Sequence, residues 1–290
     1  MDASNQKIFF ELGYAYKHLD KADEAVANFK KTLEISPGYE EALLNLANIY
    51  YDKEDYKTAL GYFTSYLQDE DADNSYYYKA GWCANDLKKY DLALDLLNKF
   101  DPGQAEDKAK KFAEIGYANY KLKKAEAALD AYKKALDEKP DYGTAMRGLA
   151  DVYDELLEQY PDATRYYEMA VEKDEDNSKR CYYKLGWLYN DKERYEDAIP
   201  MLLKAVAYDS EDSENRVELG YAYYKTKKYN DAVAQFKKAF ELDATSKLSY
   251  YYLGLCYVDM NQKDKAREVY EKLKVISEEQ AKKLLEKINQ

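Results

Sequence analysis

The residue types that most often carry out catalysis are scarce in this chain of 290 residues. It has a single histidine, His18, so a site that needs two histidines, such as most catalytic zinc sites, is excluded. No glycine stands in a GxGxxG or GxxxxGK phosphate-binding context, and no Gly-x-Ser-x-Gly nucleophile motif occurs. His18 is expected near a helix C-terminus, where an imidazole interacts favourably with the helix dipole. We therefore predict no catalytic residue, no metal site, no cofactor and no enzymatic activity.

The carboxylates and thiols of the sequence do not indicate a metal site or a reactive site either. The acidic runs 69–73 and 174–176 lack the glycine and the distal glutamate of a calcium-binding loop, so we interpret them as solvated turns. The cysteines Cys83, Cys181 and Cys256 are far apart and form no CxxC pair, which favours buried, reduced thiols. A reducing compartment makes the cytoplasm the expected location, although a removed signal peptide would leave no trace in the sequence.

The charge of the chain limits its classes of partner. It has 44 Lys and Arg against 56 Asp and Glu, which gives a formal net charge of −12. Phosphate backbones and anionic membrane surfaces are bound by clustered Lys and Arg, so we expect neither nucleic acid nor a membrane as a partner. No apolar run approaches about 18 residues, so the sequence predicts no transmembrane helix.

Aromatic residues are the unusual feature of the composition, with 34 tyrosines and two tryptophans. Around them the sequence repeats itself every 34 to 36 residues. Each copy has a small residue after an apolar one, an alanine about twelve residues later and a large apolar residue four positions further on. The first small column consists of Gly13, Ala47, Gly81, Gly116, Ala150, Gly186, Gly220 and Gly254. The alanine column consists of Ala25, Ala59, Ala93, Ala128, Ala163, Ala198, Ala232 and Ala266, of which Ala163 comes one residue late.

This order of Leu-Gly, Tyr, Ala, a large apolar residue and, in two copies, Pro resembles the tetratricopeptide repeat over about residues 6–280. Each copy contains two stretches with apolar residues at i, i+3, i+4 and i+7, the pattern of amphipathic helices. The small columns let the first helix of a repeat, helix A, cross closely over the second, helix B. A single hairpin cannot bury both of its faces, so neighbouring repeats must stack. The sequence predicts an all-α, right-handed superhelical solenoid of eight helix-turn-helix repeats.

We predict a single solenoid domain over residues 1–290. Its repeats are expected at about 6–39, 40–73, 74–108, 109–142, 143–178, 179–212, 213–246 and 247–276. A last amphipathic helix over 277–290 is predicted to cover the open end of repeat eight, and Ser277 to Gln280 have the pattern of a capping box. Pro200 is expected in the first turn of its helix, where the missing N–H costs little.

A longer period of about 105 residues lies over the shorter one. Residues 77–86 and 182–191 match at seven of ten positions, which we interpret as a triplet of repeats that was copied along the chain. The matched pairs include Trp82 and Trp187, Asn85 and Asn190, and Asp86 and Asp191. Either the copies share a binding function, or a recent duplication has left the likeness without a use.

The family resemblance implies protein–protein interaction, usually with an extended peptide or a partner helix on the concave face that the A helices line. Tyr and Trp supply contact area at a low cost in side-chain entropy and keep a hydrogen-bonding group. The clamp for chaperone C-termini that one subclass of the family carries is not expected, because Lys79 stands where that clamp needs Asn. The predicted partner-binding residues are Phe10, Tyr14, Asn48, Tyr51, Tyr78, Trp82, Asn85, Asp86, Tyr117, Tyr120, Tyr183, Trp187, Asn190, Asp191, Tyr221 and Tyr224.

The function predicted is therefore a non-enzymatic scaffold that binds a protein or peptide in an aromatic-rich groove. Because the chain is acidic, a basic and extended polypeptide is the expected partner. Two alternatives stay open at this point. One is a structural subunit of a larger assembly that makes contact through its ends or its convex face. The other is a regulatory fragment of a larger protein.

Overall fold

The computed structural model describes residues 3–290, apart from the side chains of residues 3, 4 and 177. This part of the chain contains seventeen α-helices and one short 3₁₀ helix, and it has no β-strand. The predicted all-α class is confirmed. Within the same range, every helix is too short or too polar to cross a lipid bilayer.

The helices follow the predicted repeats, with odd-numbered α1 to α15 as A helices and even-numbered α2 to α16 as B helices. Their bounds are α1 Ala3–His18, α2 Ala22–Ile35, α3 Glu40–Asp52, α4 Tyr56–Tyr66, α5 Tyr76–Asp86, α6 Tyr90–Lys99, α7 Ala105–Lys121, α8 Ala125–Glu138 and α9 Gly143–Glu155. They continue with α10 Tyr160–Lys173, α11 Cys181–Asp191, α12 Tyr195–Tyr208, α13 Ser213–Lys225, α14 Tyr229–Leu242, α15 Lys247–Asp259, α16 Lys263–Ile276 and α17 Glu278–Asn289. The 3₁₀ helix, Asp176–Ser178, precedes α11.

The helices form two compact units. The first ends at Leu157 and contains α1 to α9, and the second is Glu158–Gln290 and contains α10 to α17. Within each unit, helices that follow one another along the chain pack together, and successive A helices, such as α5 with α7 and α11 with α13, also touch. This nearest-neighbour packing is that of a solenoid. A single domain over residues 1–290 stays a prediction.

The turns inside the hairpins share one backbone geometry. The second residue after helix A has a positive φ of 56° to 62° in seven repeats, and the next N–H donates to a carbonyl five residues back, as from Lys124 to Asn119 at 2.9 Å. This Schellman arrangement satisfies the last carbonyls of the helix. In repeat five the positive-φ residue, Glu158, comes three residues after the helix end, in line with the late Ala163. The other positive-φ residues are Asp20, Glu54, Lys88, Lys123, Glu193, Lys227 and Asn261.

The first small column is confirmed, but the physical reason for it differs from the one expected. A Cβ atom on Gly116 would lie 2.7 Å from Cδ1 of Tyr132, the large residue of its own helix B. The clash is therefore with a side chain and not with the neighbouring backbone. The same ring also fills the space beside Gly148 on the A helix of the next repeat. Further contacts of this kind join Gly13 to Phe29, Gly81 to Leu97, Gly186 to Leu202 and Gly220 to Phe236.

The second small column and the cysteines lie in the core. All eight alanines of that column have an exposed fraction of 0%, so helix B is small where it faces helix A. Cys83, Cys181 and Cys256 are buried, as predicted. Burial raises the pKa of the Cys83 and Cys256 thiols to about 12, which keeps both protonated at neutral pH.

The terminal helix α17 covers repeat eight, as predicted. Ala281, Leu284 and Ile288 are buried. Leu284 lies where a Cβ atom on Gly254 would be, which is the position that a large helix-B residue occupies in other repeats. Only half of the predicted capping box forms. The Ser277 hydroxyl accepts the Gln280 N–H at 3.5 Å. The Ser277 N–H already donates to Leu273 O at 2.7 Å, so the Gln280 side chain has no donor to accept from.

The position expected for Pro200 is wrong. Helix α12 begins at Tyr195, so Pro200 is its sixth residue and lies in the second turn. A backbone N–H at that place would donate to the carbonyl of Glu196. The proline removes this hydrogen bond from the middle of the helix, which costs more than a proline in the first turn does.

Replacing Gly148 by alanine tests the steric fit between the Tyr132 ring and the A helix of the next repeat. The new methyl group would overlap the Tyr132 ring, so we expect the free energy of unfolding of the first unit to fall by about 1–3 kcal/mol. Gly61 in α4 is the matched control, because a Cβ atom there would meet no atom within 4 Å. Gly61→Ala should raise the same free energy by about 0.5–1 kcal/mol through helix propensity alone. Urea denaturation followed by circular dichroism measures both, and equal shifts in the same direction would contradict the steric argument.

Replacing Leu284 by alanine tests the covering role of α17. Leu284 is 0% exposed, so Leu284→Ala should cost about 2–5 kcal/mol and speed hydrogen exchange in α15 and α16. The exposed Glu286 on the same helix is the control, and Glu286→Ala should change neither quantity measurably. Exchange rates in α15 that stay at their original values in Leu284→Ala would show that α17 does not protect repeat eight.

Candidate functional site

Three successive A helices of the second unit line an open pocket of about 300 Å³. Residues three or four apart on α11, on α13 and on α15 bring their side chains to the same face of each helix. The turn after α11 and the start of α12 close one side of the pocket. The lining residues are Trp187, Asn190 and Asp191 of α11, Glu193 and Tyr195, Val217, Glu218 and Tyr221 of α13, and Leu248 and Tyr252 of α15.

Aromatic rings make up much of the pocket wall. The Tyr195 and Tyr221 rings meet edge to face with centroids 5.9 Å apart, and Tyr221 meets Tyr252 in the same way at 5.1 Å. Tyr252 also stacks on the fully buried Phe236 at 5.9 Å, which ties the wall to the core of repeat seven. Trp187 packs edge to face against Tyr160 at 6.2 Å. Since each ring is supported by another, the wall is preorganised.

A buried amide holds one of the three carboxylates of the pocket, that of Glu218. Asn190 is only 5% exposed, and its Nδ2 donates to Glu218 O at 3.1 Å and to Glu218 Oε2 at 2.8 Å. Burial raises the pKa of Glu218, and the hydrogen bond from Asn190 opposes that rise in part. Asn190 therefore joins α11 to α13 and fixes the direction of the Glu218 side chain.

The same arrangement occurs in the first unit. Asn85 Nδ2 donates to Glu114 O at 3.1 Å and to Glu114 Oε2 at 2.8 Å, and burial raises the pKa of Glu114 as well. Asn85 is 3% exposed. Within the described part of the chain, Oδ1 of both asparagines is buried without a hydrogen-bond partner. The longer period of the sequence thus corresponds to a specific hydrogen-bonded link between repeats, which the copied residues reproduce.

The two tryptophans occupy related places in the two units. Trp82 packs edge to face against Tyr51 at 5.7 Å and against Tyr56 at 4.9 Å. Tyr56 is the first residue of α4, just as Tyr160, the neighbour of Trp187, is the first residue of α10. Both indoles are partly exposed, and the aspartates four residues after them, Asp86 and Asp191, are exposed.

The predicted site residues of the first repeats lie on A helices with different degrees of exposure. Tyr14 is 45% exposed and meets the His18 ring at 4.4 Å, at the end of α1. Phe10 instead packs against Phe29 at 5.7 Å. Asn48 accepts a hydrogen bond from Lys79 Nζ at 2.8 Å, a contact between α3 and α5.

In the middle of the chain, Tyr117 is 38% exposed, with the Tyr90 ring at 6.3 Å, whereas Tyr120 is 9% exposed and donates its hydroxyl to Glu155. Tyr78 packs against Phe100 at 5.6 Å, and burial raises the pKa of its hydroxyl. Packing inside the first unit thus takes up much of the surface of Tyr78 and Tyr120.

In the second unit, Tyr183 donates weakly to Glu214 at 3.4 Å, and Tyr224 packs against Tyr252 at 5.8 Å. Of the predicted residues, Trp187, Asn190, Asp191 and Tyr221 come together in the pocket. Sequence reasoning missed the lining residues Glu193, Tyr195, Val217, Glu218, Leu248 and Tyr252. The glutamate of the Glu-Leu-Gly-Tyr-Ala segment that opens at Glu218, repeated at Glu114, was the available signal.

Comparison with known families identifies the fold. A tetratricopeptide-repeat model matches residues 18–81 and 120–188, and the model of anaphase-promoting complex subunit 3 matches residues 191–273. A TPR repeat-containing protein of Methanocaldococcus jannaschii is 26% identical over 73% of this chain. The match covers 47% of that protein, so the chain spans about half the length of its curated relative.

Solved structures agree with this result. YrrB, described as a TPR protein with an unusual peptide-binding site, is 26% identical with a TM-score of 0.57, over 60% of this chain and 89% of its own. The C-terminal part of a TPR repeat-containing protein from Cytophaga hutchinsonii is 18% identical with a TM-score of 0.64, over 82% of this chain and 98% of its own. The chain belongs to the tetratricopeptide repeat family. Its fold is that of a scaffold for protein–protein interaction.

The raised pKa of Glu218 predicts a pH dependence of stability. A carboxyl group whose pKa is higher in the folded state than its ordinary value near 4.5 favours folding most below that value. Its contribution is lost as the pH rises through the folded-state pKa. Glu218→Gln keeps an acceptor for Asn190 and removes the buried charge, so the variant should gain stability relative to the original chain as the pH rises from 4.5 to neutral.

Urea midpoints measured from pH 4 to pH 8 check this expectation. Glu286→Gln on the exposed face of α17 is the control, and its stability should follow that of the original chain. A Glu218→Gln curve that runs parallel to the original one would contradict the buried-charge argument.

Proposed function

We propose that the chain binds an extended, basic polypeptide on the aromatic surface of its A helices and acts without catalysis. The observation that carries the proposal is the composition of the second-unit pocket. Among its ten lining residues in the described structure are four aromatic rings and three carboxylates, and none is Lys or Arg. Aromatic anchors with a surrounding charge of one sign are typical of recognition surfaces.

Charge supports a basic partner over an acidic one. The chain has a formal net charge of −12, which attracts a cationic segment over a distance and speeds its association. At the pocket, the exposed Asp191 and Glu193 flank the entrance of the aromatic wall. The net charge would repel an acidic segment at a distance, and Asp191 and Glu193 would repel it at the pocket. The negative charge therefore favours a basic partner.

One comparison and one feature of the fold support a polypeptide as the ligand class. YrrB, which shares the fold, is described by its peptide-binding site. The A-helix surface also extends over several repeats within each unit, so that a ligand of several residues is needed to cover it. Trp82 in the first unit and Trp187 in the second are the anchors that we assign to this ligand.

A second candidate is a structural subunit of a larger assembly. It is favoured by the match of residues 191–273 to the model of a subunit of the anaphase-promoting complex. Such a subunit can use the B-helix side, where Leu203 and Tyr208 of α12 are 45% and 53% exposed. The two candidates therefore place the contact on different helices of the same repeats.

Screening a random dodecapeptide library on the full chain tests the first proposal. We expect basic sequences to be enriched, and Trp82→Ala and Trp187→Ala each to weaken their binding by about 2 kcal/mol, the loss typical of an interface anchor. Tyr208→Ala removes an exposed aromatic ring from a B helix and is the matched control, with no expected effect. Fluorescence anisotropy of labelled peptides gives the affinities.

The effect of salt on the binding rates distinguishes long-range electrostatic attraction from the contacts made in the complex. Raising the ionic strength should slow the association of a basic peptide more than it speeds dissociation, since steering acts before contact. Enrichment of acidic peptides, or affinities that are unchanged in both tryptophan variants, would overturn the proposal. A protein partner that is lost on Tyr208→Ala and retained on Trp187→Ala would instead support the assembly subunit.

A further inference from the structure

The pocket of the second unit has the size and chemistry of a site for one side chain. We propose that it takes an arginine side chain of the partner polypeptide, with the guanidinium on the tyrosine rings and against Glu218. This inference rests on the proposed function and names the residue that the pocket would select. A volume of about 300 Å³ lies at the lower end of ligand pockets, which is too small for a folded peptide segment.

The rings supply faces on which a planar cation can stack. Arg guanidinium groups bind over Tyr and Trp rings through cation–π attraction and stacking. Lys225 shows that these rings already accept a cation, because its Nζ lies 5.2 Å from the Tyr195 centroid and 5.8 Å from the Tyr221 centroid. Tyr252 is held at its place by Phe236 and Tyr221, so it does not have to be ordered when a ligand enters.

Glu218 supplies the countercharge inside the pocket. Asn190 engages Oε2, which leaves Oε1 as an acceptor for a guanidinium N–H. Asp191 is paired with the adjacent Lys192 at 3.1 Å, which offsets part of its charge, so Glu218 and the exposed Glu193 are the main carboxylates that a ligand meets. A neutral or apolar ligand would leave the Glu218 charge desolvated without compensation, whereas a cation offsets that cost. The raised pKa of Glu218 is consistent with a carboxyl group that lacks a cationic neighbour.

Arginine fits this arrangement better than lysine. Its guanidinium is flat, weakly hydrated and able to donate several hydrogen bonds in one plane while its faces stack on rings. A lysine ammonium is a compact, strongly hydrated charge that cannot stack. The pocket offers ring faces beside a carboxylate, which is the combination that a guanidinium can use in full.

The first unit contains a natural counterpart that lacks an aromatic wall and one acidic residue of the pocket. Trp82, Tyr90, Glu114 and Tyr117 repeat Trp187, Tyr195, Glu218 and Tyr221 at offsets of 104 or 105 residues. Gly148, however, stands in the place of Tyr252, and Lys88 stands in the place of Glu193. One aromatic wall is missing there, and the residue of the turn has the opposite charge. We therefore expect arginine to bind in the second unit and not in the first.

Titration of the full chain with N-acetyl-L-arginine amide tests the proposal. The two tryptophan indole N–H groups give two proton–nitrogen NMR signals, which Trp82→Phe and Trp187→Phe assign. The Trp187 signal should shift and saturate at millimolar probe, and the Trp82 signal should not move. N-acetyl-L-citrulline amide has nearly the same shape without the charge, and we expect it to bind at least about tenfold more weakly, as charge-assisted contacts are lost.

Three variants locate the interaction. Glu218→Gln should remove the preference for arginine over citrulline, while Glu114→Gln in the first unit should leave it intact. Lys225→Gln removes the resident cation from the tyrosine faces and should tighten binding of the arginine probe about two- to fivefold. Because Glu218→Gln is expected to be the more stable protein, loss of binding in it cannot be ascribed to unfolding.

Each outcome separates this inference from the proposed function. Equal binding of the two probes, a shift of Trp82 in place of Trp187, or no saturable shift at all would overturn the arginine pocket, even if the library still yields basic peptides. Specific binding of the arginine probe without enrichment of basic peptides would keep the pocket and overturn the proposed function.

Discussion

The structure depends on one steric constraint, the fit of a large helix-B side chain against a small residue of helix A. Phe29, Leu97, Tyr132, Leu202 and Phe236 each lie where the Cβ atom of a glycine partner would be. This contact sets the distance between the two helices of a hairpin, because neither the side chain nor the helix backbone can give way cheaply in a close-packed interior. In repeat eight, Leu284 of the terminal helix makes the same contact with Gly254. The terminal helix therefore packs on repeat eight as a helix-B residue packs on helix A in the other repeats.

The helix-B residue of one repeat can also contact the A helix of the next repeat, as Tyr132 and Phe236 do. Leu97 and Leu202 are followed on the next A helix by Glu114 and Glu218, which reach a buried asparagine. The larger Tyr132 is followed by Gly148, whose missing side chain makes room for the ring. Phe236 is followed by Tyr252, which stacks on it and forms a wall of the pocket. Binding chemistry and core packing thus share one column of the repeat, and a change in either one constrains the other.

The repeat period and the sizes of the residues at fixed positions predicted the fold, because both can be recognised within a short stretch of sequence and recur in eight repeats. The helices, the small columns, the buried alanines and the terminal helix could all be predicted from them. The pocket could not, because Tyr195 and Tyr252 come from different repeats and meet only through long-range packing. The place of Pro200 was mispredicted for a local reason, since it depends on where α12 begins, and helix ends are set within one or two residues by competing backbone hydrogen bonds. The capping box at Ser277 forms only in part for a different reason, because the Ser277 N–H is taken by Leu273 of the preceding helix.

The hairpin turns have a further consequence for how such a chain can diversify. Each Schellman turn is closed by backbone hydrogen bonds alone, so its positive-φ position carries Asp, Glu, Lys or Asn without a change in geometry. In the two related sites this position is Lys88 in one and Glu193 in the other, and Glu193 lines the pocket. A residue of either charge can therefore occupy this turn position beside an A-helix surface. Selection can reverse the sign of a site by a single substitution there, while the packing that defines the repeat stays as it is.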